Sequence, residues 1–388
     1  MRGQEPAELK QTTRNTQHGI RNTKGIMKKA NVLTYSLLAA GLLSAINASA
    51  AVGTLTGPVV HRNLQIFLVH GDTHLESRHY GTLSEALERH LVVAKETGNV
   101  NELTIENVSK DLAVFINAGD IVKGGRQDRT VREDLILPPM SGPVPLAAFC
   151  VEHGRWTQRG HENAAEFSSN TKILSSRSEK LASRYANQQG EVWAGVAEQQ
   201  KKLADNLSRI TGSSVDVHAP ASGSSLQLSL ENRTLDSVTR PYMEKFKSLL
   251  DGKTDVIGFV YVINGEINSA EVYNNKNLFR ALWPKLLDAA VTEAVTECNN
   301  DRNYPPLSAE DVKTFFQTAV SGVMSERDVW KSTRVRTYTT ASTVLFETKD
   351  LNADSNWIHK SFINKGKESV VIEKGGGVVV PLDHDSLR

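Results

Sequence analysis

From about Gly57 to Trp156 the chain reads as short apolar runs separated by turn residues, the pattern of strands, with one helix among them. Leu64-Gln65-Ile66-Phe67-Leu68-Val69 predicts a buried strand. Thr82 caps a short helix over residues 83–90, because Glu85 three positions on completes a capping box. Residues 91–96 and 103–106 flank Thr97-Gly98-Asn99 and predict a hairpin. A further run at 112–116 leads into a turn at Asn117-Ala118-Gly119-Asp120. Ile121-Val122 and the run 135–137 flank a polar Gly-Gly connection. Pro138-Pro139 and Ser141-Gly142-Pro143 then break the chain before a strand over 144–151.

Beyond Trp156 the spacing becomes helical. Residues 158–170 are polar and irregular, and 173–186 and 192–210 predict helices, with Gly190 between them and Gly212 as a stop. A loop of Pro, Ser and Gly over 219–225 precedes a third helix, 237–250. Residues 256–263 and 267–273 alternate around Asn264-Gly265, a pair suited to a two-residue hairpin turn. Helices follow over 278–297 and 309–324, strands return over 330–362, and the stretch around Gly375-Gly376-Gly377 reads as a loose tail. This order fits an α+β fold better than a regular βαβ alternation. It predicts a single mature domain, 51–388, with a strand-rich part at 57–156 and a mixed helical and strand part at 171–364.

The N-terminus changes what counts as the working chain. Met27-Lys28-Lys29, an apolar stretch from Val32 to Ala45, and Ala48-Ser49-Ala50 have the three-part pattern of a secretory signal peptide with its cleavage site. The apolar stretch is shorter than the roughly 20 residues a bilayer-spanning helix needs. The expectation is an exported protein, periplasmic or secreted, that begins near Ala51 and has no membrane attachment after cleavage. Residues 1–26 are polar and read as a mis-assigned translation start or a disordered extension. The full chain has 45 basic and 44 acidic residues; residues 1–50 hold seven and two of these, leaving 38 against 42, a formal −4. A mildly acidic chain without a basic stripe argues against nucleic-acid binding. Cys150 and Cys298 are far apart in the sequence, and a bond needs their Cα atoms within about 7 Å, so two free, buried thiols are expected.

The strongest local chemistry lies between Lys123 and Trp156. Gly124 and Gly125 give the backbone freedom to approach a ligand. Arg126, Gln127 and Arg129 supply guanidinium and amide donors suited to phosphate or carboxylate. Lys123 adds charge, and Arg155 beside Trp156 pairs an anion binder with a ring that can stack on a base or sugar. Glu152 is the candidate catalytic carboxylate. The competing reading is a hairpin turn whose arginines pair with Asp128, Asp134 and Glu152.

The motifs Gly119-Asp120-Ile121-Val122-Lys123-Gly124-Gly125-Arg126-Gln127-Asp128-Arg129, Asp134-Leu135-Ile136-Leu137-Pro138-Pro139 and Phe149-Cys150-Val151-Glu152-His153-Gly154-Arg155-Trp156 occur in that order. With Trp283-Pro284-Lys285-Leu286-Leu287 farther on, the chain resembles the domain family named for its association with ADP-ribosylglycohydrolases and rhodanese-phosphatases. That resemblance implies no assigned activity; it implies genomic company that handles ADP-ribose and NAD-derived compounds.

His70-Gly71-Asp72-Thr73-His74, with Glu76 and His79, has the residue types of a metal site, but no second ligand cluster accompanies it and no metal is expected. His359 has the chemistry of a general base, although a single histidine in a strand is more commonly a partnered structural residue. No Gly-x-Ser-x-Gly elbow, P-loop or dinucleotide fingerprint is present, and no cofactor is expected. The leading expectation is a protein that binds a small anionic or ribosyl-type ligand. Two alternatives stand beside it: a hydrolase or lyase of a phosphorylated or ADP-ribosyl-like compound acting through Glu152 and the arginine cluster, and a cell-envelope protein-interaction module.

Overall fold

The computed structural model describes residues 53–299, 302–354, 356–366, 371–372 and 378–379; the signal segment and the 375–377 tail lie outside the described residues. The fold is α+β. Its largest element is an antiparallel eight-stranded sheet in the order Thr54–His61, Leu64–His70, Val256–Ile263, Glu266–Tyr273, Asn356–Asn364, Thr343–Asp350, Thr333–Thr339 and Val323–Trp330. Leu64–His70 and Val256–Ile263 are buried at every position, as strands covered on both faces must be. Alternation sends Phe67 and Val69 to one face, against Val312, Phe315 and Phe316 of the helix Ala309–Val320. Ile66 and Leu68 point to the other face, which packs on the helices Lys276–Thr296, Arg233–Phe246 and Gln189–Thr211.

The remaining strands of the strand-rich part, with Phe167–Ser168, form two smaller sheets. One orders Phe167–Ser168, Ile121–Gly124, Arg129–Val131, Gly142–Cys150, Glu102–Asn107 and Val92–Glu96; the other joins Tyr80–Thr82, Ala113–Ile116 and Leu135–Leu137. They share a core of Val92, Ile105, Val114, Val122, Val131 and Leu146.

The Thr82–Glu85 capping box is present at the start of Leu83–Glu88. Asn264 and Gly265 both take positive φ, 53° and 77°, as the predicted tight hairpin turn requires. Elsewhere the local pattern misleads. The helix expected from 173 starts at Arg177, because Ser176 and Glu179 form a capping box there, and it continues as a π-helix over Leu181–Ala186. Ile173 instead bridges to Asp120 in extended conformation. Gly190 lies inside the first turn of Gln189–Thr211, not between helices. The third helix starts at Arg233 rather than 237, since Asn232 caps it. The helix expected to reach 324 stops at Val320, and Val323 and Met324 begin an edge strand. At Gly322 the chain passes so close to Thr339 that an added Cβ would lie 2.6 Å from its backbone nitrogen. Arg129–Val131, a strand absent from the expectation, pairs with Ile121–Gly124 across the Gly-Gly turn.

Candidate functional site

The hairpin around Gly124 and Gly125 closes on a buried polar network. Asp128 Oδ1 accepts from Gly124 N at 3.1 Å, and Asp128 N donates to Glu152 Oε2 at 3.0 Å. Arg159 grips Asp128 with both ends of its guanidinium, at 2.8 and 3.1 Å, and Ser225 Oγ donates to the same carboxylate at 2.9 Å. Arg155 Nε donates to Glu152 Oε1 at 2.7 Å, while its other nitrogens donate to the carbonyls of Gly124, Gly125 and Thr157. Arg129 donates to Gln127 Oε1 at 2.9 Å and to Cys150 Sγ, and lies 3.5 Å from Glu96. Gln127 Nε2 donates to the Glu152 carbonyl at 2.8 Å.

The nominated cations therefore do not converge on open space. Arg129 and Arg155 are buried against protein oxygens, while Arg126 is exposed and its backbone nitrogen is held by Glu96. Lys123 is 3.9 Å from Glu162 and 3.8 Å from Glu231, and Trp156 is half exposed. Burial alone would raise the pKa of Glu152, but Arg155, Ser222 and the Asp128 amide outweigh it and hold the carboxyl below its ordinary value. Asp128 is pushed up by burial and by the neighbouring Glu152 charge, against the pull of Arg159.

A second polar centre lies beneath the turn 117–120, between the π-helix and the large sheet. A cavity of about 20 Å³ is lined there by Asn117, Lys180, Arg184, Tyr261, Glu271 and Ser361 among others. His359 stands beside it, its Nδ1 2.8 Å from Asp134 Oδ2 and its Nε2 2.9 Å from Glu271 Oε2. An imidazole with a carboxylate at each nitrogen uses both as donors, so it carries both protons. Burial opposes that charge, yet Asp134 and Glu271 overcome it and lift the pKa to about 9. The ring also stacks on Tyr273, centroids 4.3 Å apart. Lys180 Nζ donates to Tyr261 OH at 2.8 Å, and that hydroxyl donates to Glu293 Oε2 at 3.1 Å.

Arg184 is the outlier. Its side chain is 6% exposed, its guanidinium carbon sits 4.2 Å from the centroid of the Phe346 ring, and Nη2 is 3.6 Å from Asp134 Oδ2, beyond hydrogen-bond length. Among the described residues its guanidinium makes no hydrogen bond.

The comparisons with known proteins bear on this whole arrangement. A family model described as the ARG and Rhodanese-Phosphatase-superfamily-associated Protein domain matches residues 54–363. The chain belongs to that family. No curated protein and no solved structure matches it.

Residues of the sequence motifs lie in or beside the second centre. Asp120 meets Lys285 at 2.6 Å, joining the Gly119-Asp120 turn to the Trp283-Pro284-Lys285 helix. Asp134, from the Asp-Leu-Ile-Leu motif, belongs to the His359 centre rather than to the arginine turn. His70 is held by Thr56 at 2.7 Å and Asp255 at 3.0 Å, and no group of three or more metal-type side chains forms among the described residues. No disulfide joins Cys150 and Cys298, and both are buried. Lys180, Arg184, Tyr261, Glu271 and Ser361 were not singled out by the sequence; a basic pair four apart on a helix looks like a solvated face.

Proposed function

We propose that this chain is an exported protein that binds a small anionic ligand in the cavity faced by Arg184 and Lys180. The observation that carries the reading is Arg184. A guanidinium has five N–H donors; here the group is ion-paired to Asp134 and lies on the Phe346 ring, and its donors, unused by described residues, face the cavity it lines. Lys180 adds a charge whose three donors have one protein hydrogen bond, to Tyr261. The centres of water-sized groups can occupy about 20 Å³ before them, room for the few atoms of one small planar group. That admits a compact anion, or the charged end of a larger one.

His359, Lys180 and Arg184 are cations, and His359 already occupies one oxygen each of Asp134 and Glu271. Glu293, the next carboxylate, has its pKa raised by burial against the opposing pull of Lys180. A catalytic role for Glu152 gains no support, because each of its oxygens is held, one by Arg155 and one by the Asp128 amide.

Calorimetric titration of the mature protein with formate, nitrate, hydrogencarbonate, phosphate and ribose 5-phosphate tests the reading. Saturable binding of at least one compact anion is expected, weakened ten-fold or more in Arg184→Gln and unaltered in Arg126→Ala. Equal affinity in wild type and Arg184→Gln would overturn it.

A further inference from the structure

We propose that the ligand of this cavity is a compact oxyacid anion that keeps one O–H of its own, the hydrogencarbonate class, and that Glu271 selects for that proton. The inference rests on the anion-binding reading above and narrows it. Glu271 is 6% exposed and lines the cavity together with Arg184 and Lys180. One of its oxygens, Oε2, takes the His359 N–H. The other, Oε1, accepts no hydrogen bond from a described residue. Ser361, also lining the cavity and 1% exposed, makes no side-chain hydrogen bond among the described residues.

The cavity therefore offers an occupant two kinds of wall. Arg184 and Lys180 can only donate. The Glu271 carboxylate can only accept, and it carries the same sign as the ligand. A halide, nitrate or carboxylate without a hydroxyl satisfies the cations but sets lone pairs against Glu271. An anion with an O–H donates that proton to Glu271 Oε1 and turns its charged oxygens to the cations. Ser361 both donates and accepts, and so completes either orientation. The planar edge of a carboxylate-like group also matches a guanidinium, whose paired N–H bonds favour two-oxygen recognition. The cavity volume excludes a whole sugar phosphate. Sites built around a ligand hydroxyl reject analogues lacking it, because the buried polar partner is then left unmet.

Hydrogencarbonate and nitrate make the decisive pair: both are planar monoanions of similar size, and one carries a proton. Titration of each into the mature protein at one pH and ionic strength should give hydrogencarbonate at least a ten-fold tighter Kd. In Glu271→Gln the amide oxygen can still accept from His359 while the NH₂ offers a donor to the cavity, so the preference should collapse or reverse towards nitrate. Equal affinities for the two anions in the wild type, with both lost in Arg184→Gln, would sink the proton selectivity and leave the anion site standing. No binding of either anion would sink the proton selectivity, and the anion site would fall with it only if formate and phosphate also failed to bind. The wild-type ratio needs no variant, so the test survives a Glu271→Gln protein that does not fold; an unchanged ratio in a folded one also overturns the proposal.

Discussion

His359 Nδ1 lies 2.8 Å from Asp134 Oδ2, an ion pair between residues 225 positions apart that pins the sheet strand Asn356–Asn364 to the connection before Leu135–Leu137. It sets a pH dependence. The His359 pKa is about 9 in the fold against an ordinary 6.5, so its contribution is fully present below pH 6.5 and is lost as pH rises through 9. Asp134 is held below its ordinary value: burial works against this, and His359 and Arg184 outweigh it, so its contribution is lost only in acid. The His359 shift, from 6.5 to about 9, corresponds to about 3 kcal/mol. Urea unfolding of His359→Gln should flatten the loss of stability between pH 6.5 and 9, and a wild type equally stable across that window would contradict the pairing.

Glu179 pulls in the same direction for another reason. Burial, with Glu293 nearby, lifts its pKa to about 8 from 4.5, so folding costs the protonation of this carboxyl at neutral pH. Glu179→Gln keeps the capping role opposite Ser176 without that cost. It should stabilise the protein by roughly 1–3 kcal/mol at pH 7, with the gain growing from pH 4.5 to 8. A gain independent of pH would rule out titration of Glu179 as its source.

The two polar centres differed in how legible they were. Gly124-Gly125 with Arg126, Arg129 and Arg155 stands out in the sequence because glycine and arginine cluster, yet clustering says nothing of direction. Strand pairing decides it, sending Arg129 into the interior while Arg126 stays exposed. Asp134 and His359 carry no mutual signal, since only the sheet order brings them together. Lys180 and Arg184 look like a solvated helix face until the π-helix and the turn at 117–120 enclose them. The fold itself was more readable, because the Thr82–Glu85 capping box and the Asn264-Gly265 turn are local chemistry. Boundaries failed where tertiary contact prevailed, as at Ile173, an apolar residue that belongs to a bridge rather than a helix.

Export is tested at the N-terminus. The order of Met27-Lys28-Lys29, the apolar run and Ala48-Ser49-Ala50 predicts a mature chain starting at Ala51, within a residue or two. N-terminal sequencing of the envelope fraction should read from there; recovery of protein still bearing Met1 or Met27 would refute cleavage.

Arg159 and Arg126 separate a structural turn from a ligand site in the Gly-Gly hairpin. Arg159 is buried, holds Asp128 through two hydrogen bonds, and also reaches Ser225, Gln227 and Glu162. Its removal leaves Asp128 buried beside Glu152 without its main counter-charge, and breaking a buried pair from one side typically costs about 3–5 kcal/mol. Arg159→Ala should therefore unfold at markedly lower urea concentration. Asp128→Asn should suffer as well, but less, since Arg159 keeps Glu162 and Glu152 as partners. Arg126 is exposed and its side chain joins no ion pair among the described residues, so Arg126→Ala should stay within about ±0.5 kcal/mol. Urea midpoints of the three variants decide the matter. If Arg159→Ala were as stable as Arg126→Ala, the network would not be what closes this turn, and Arg155 and Arg129 would again be open as ligand donors.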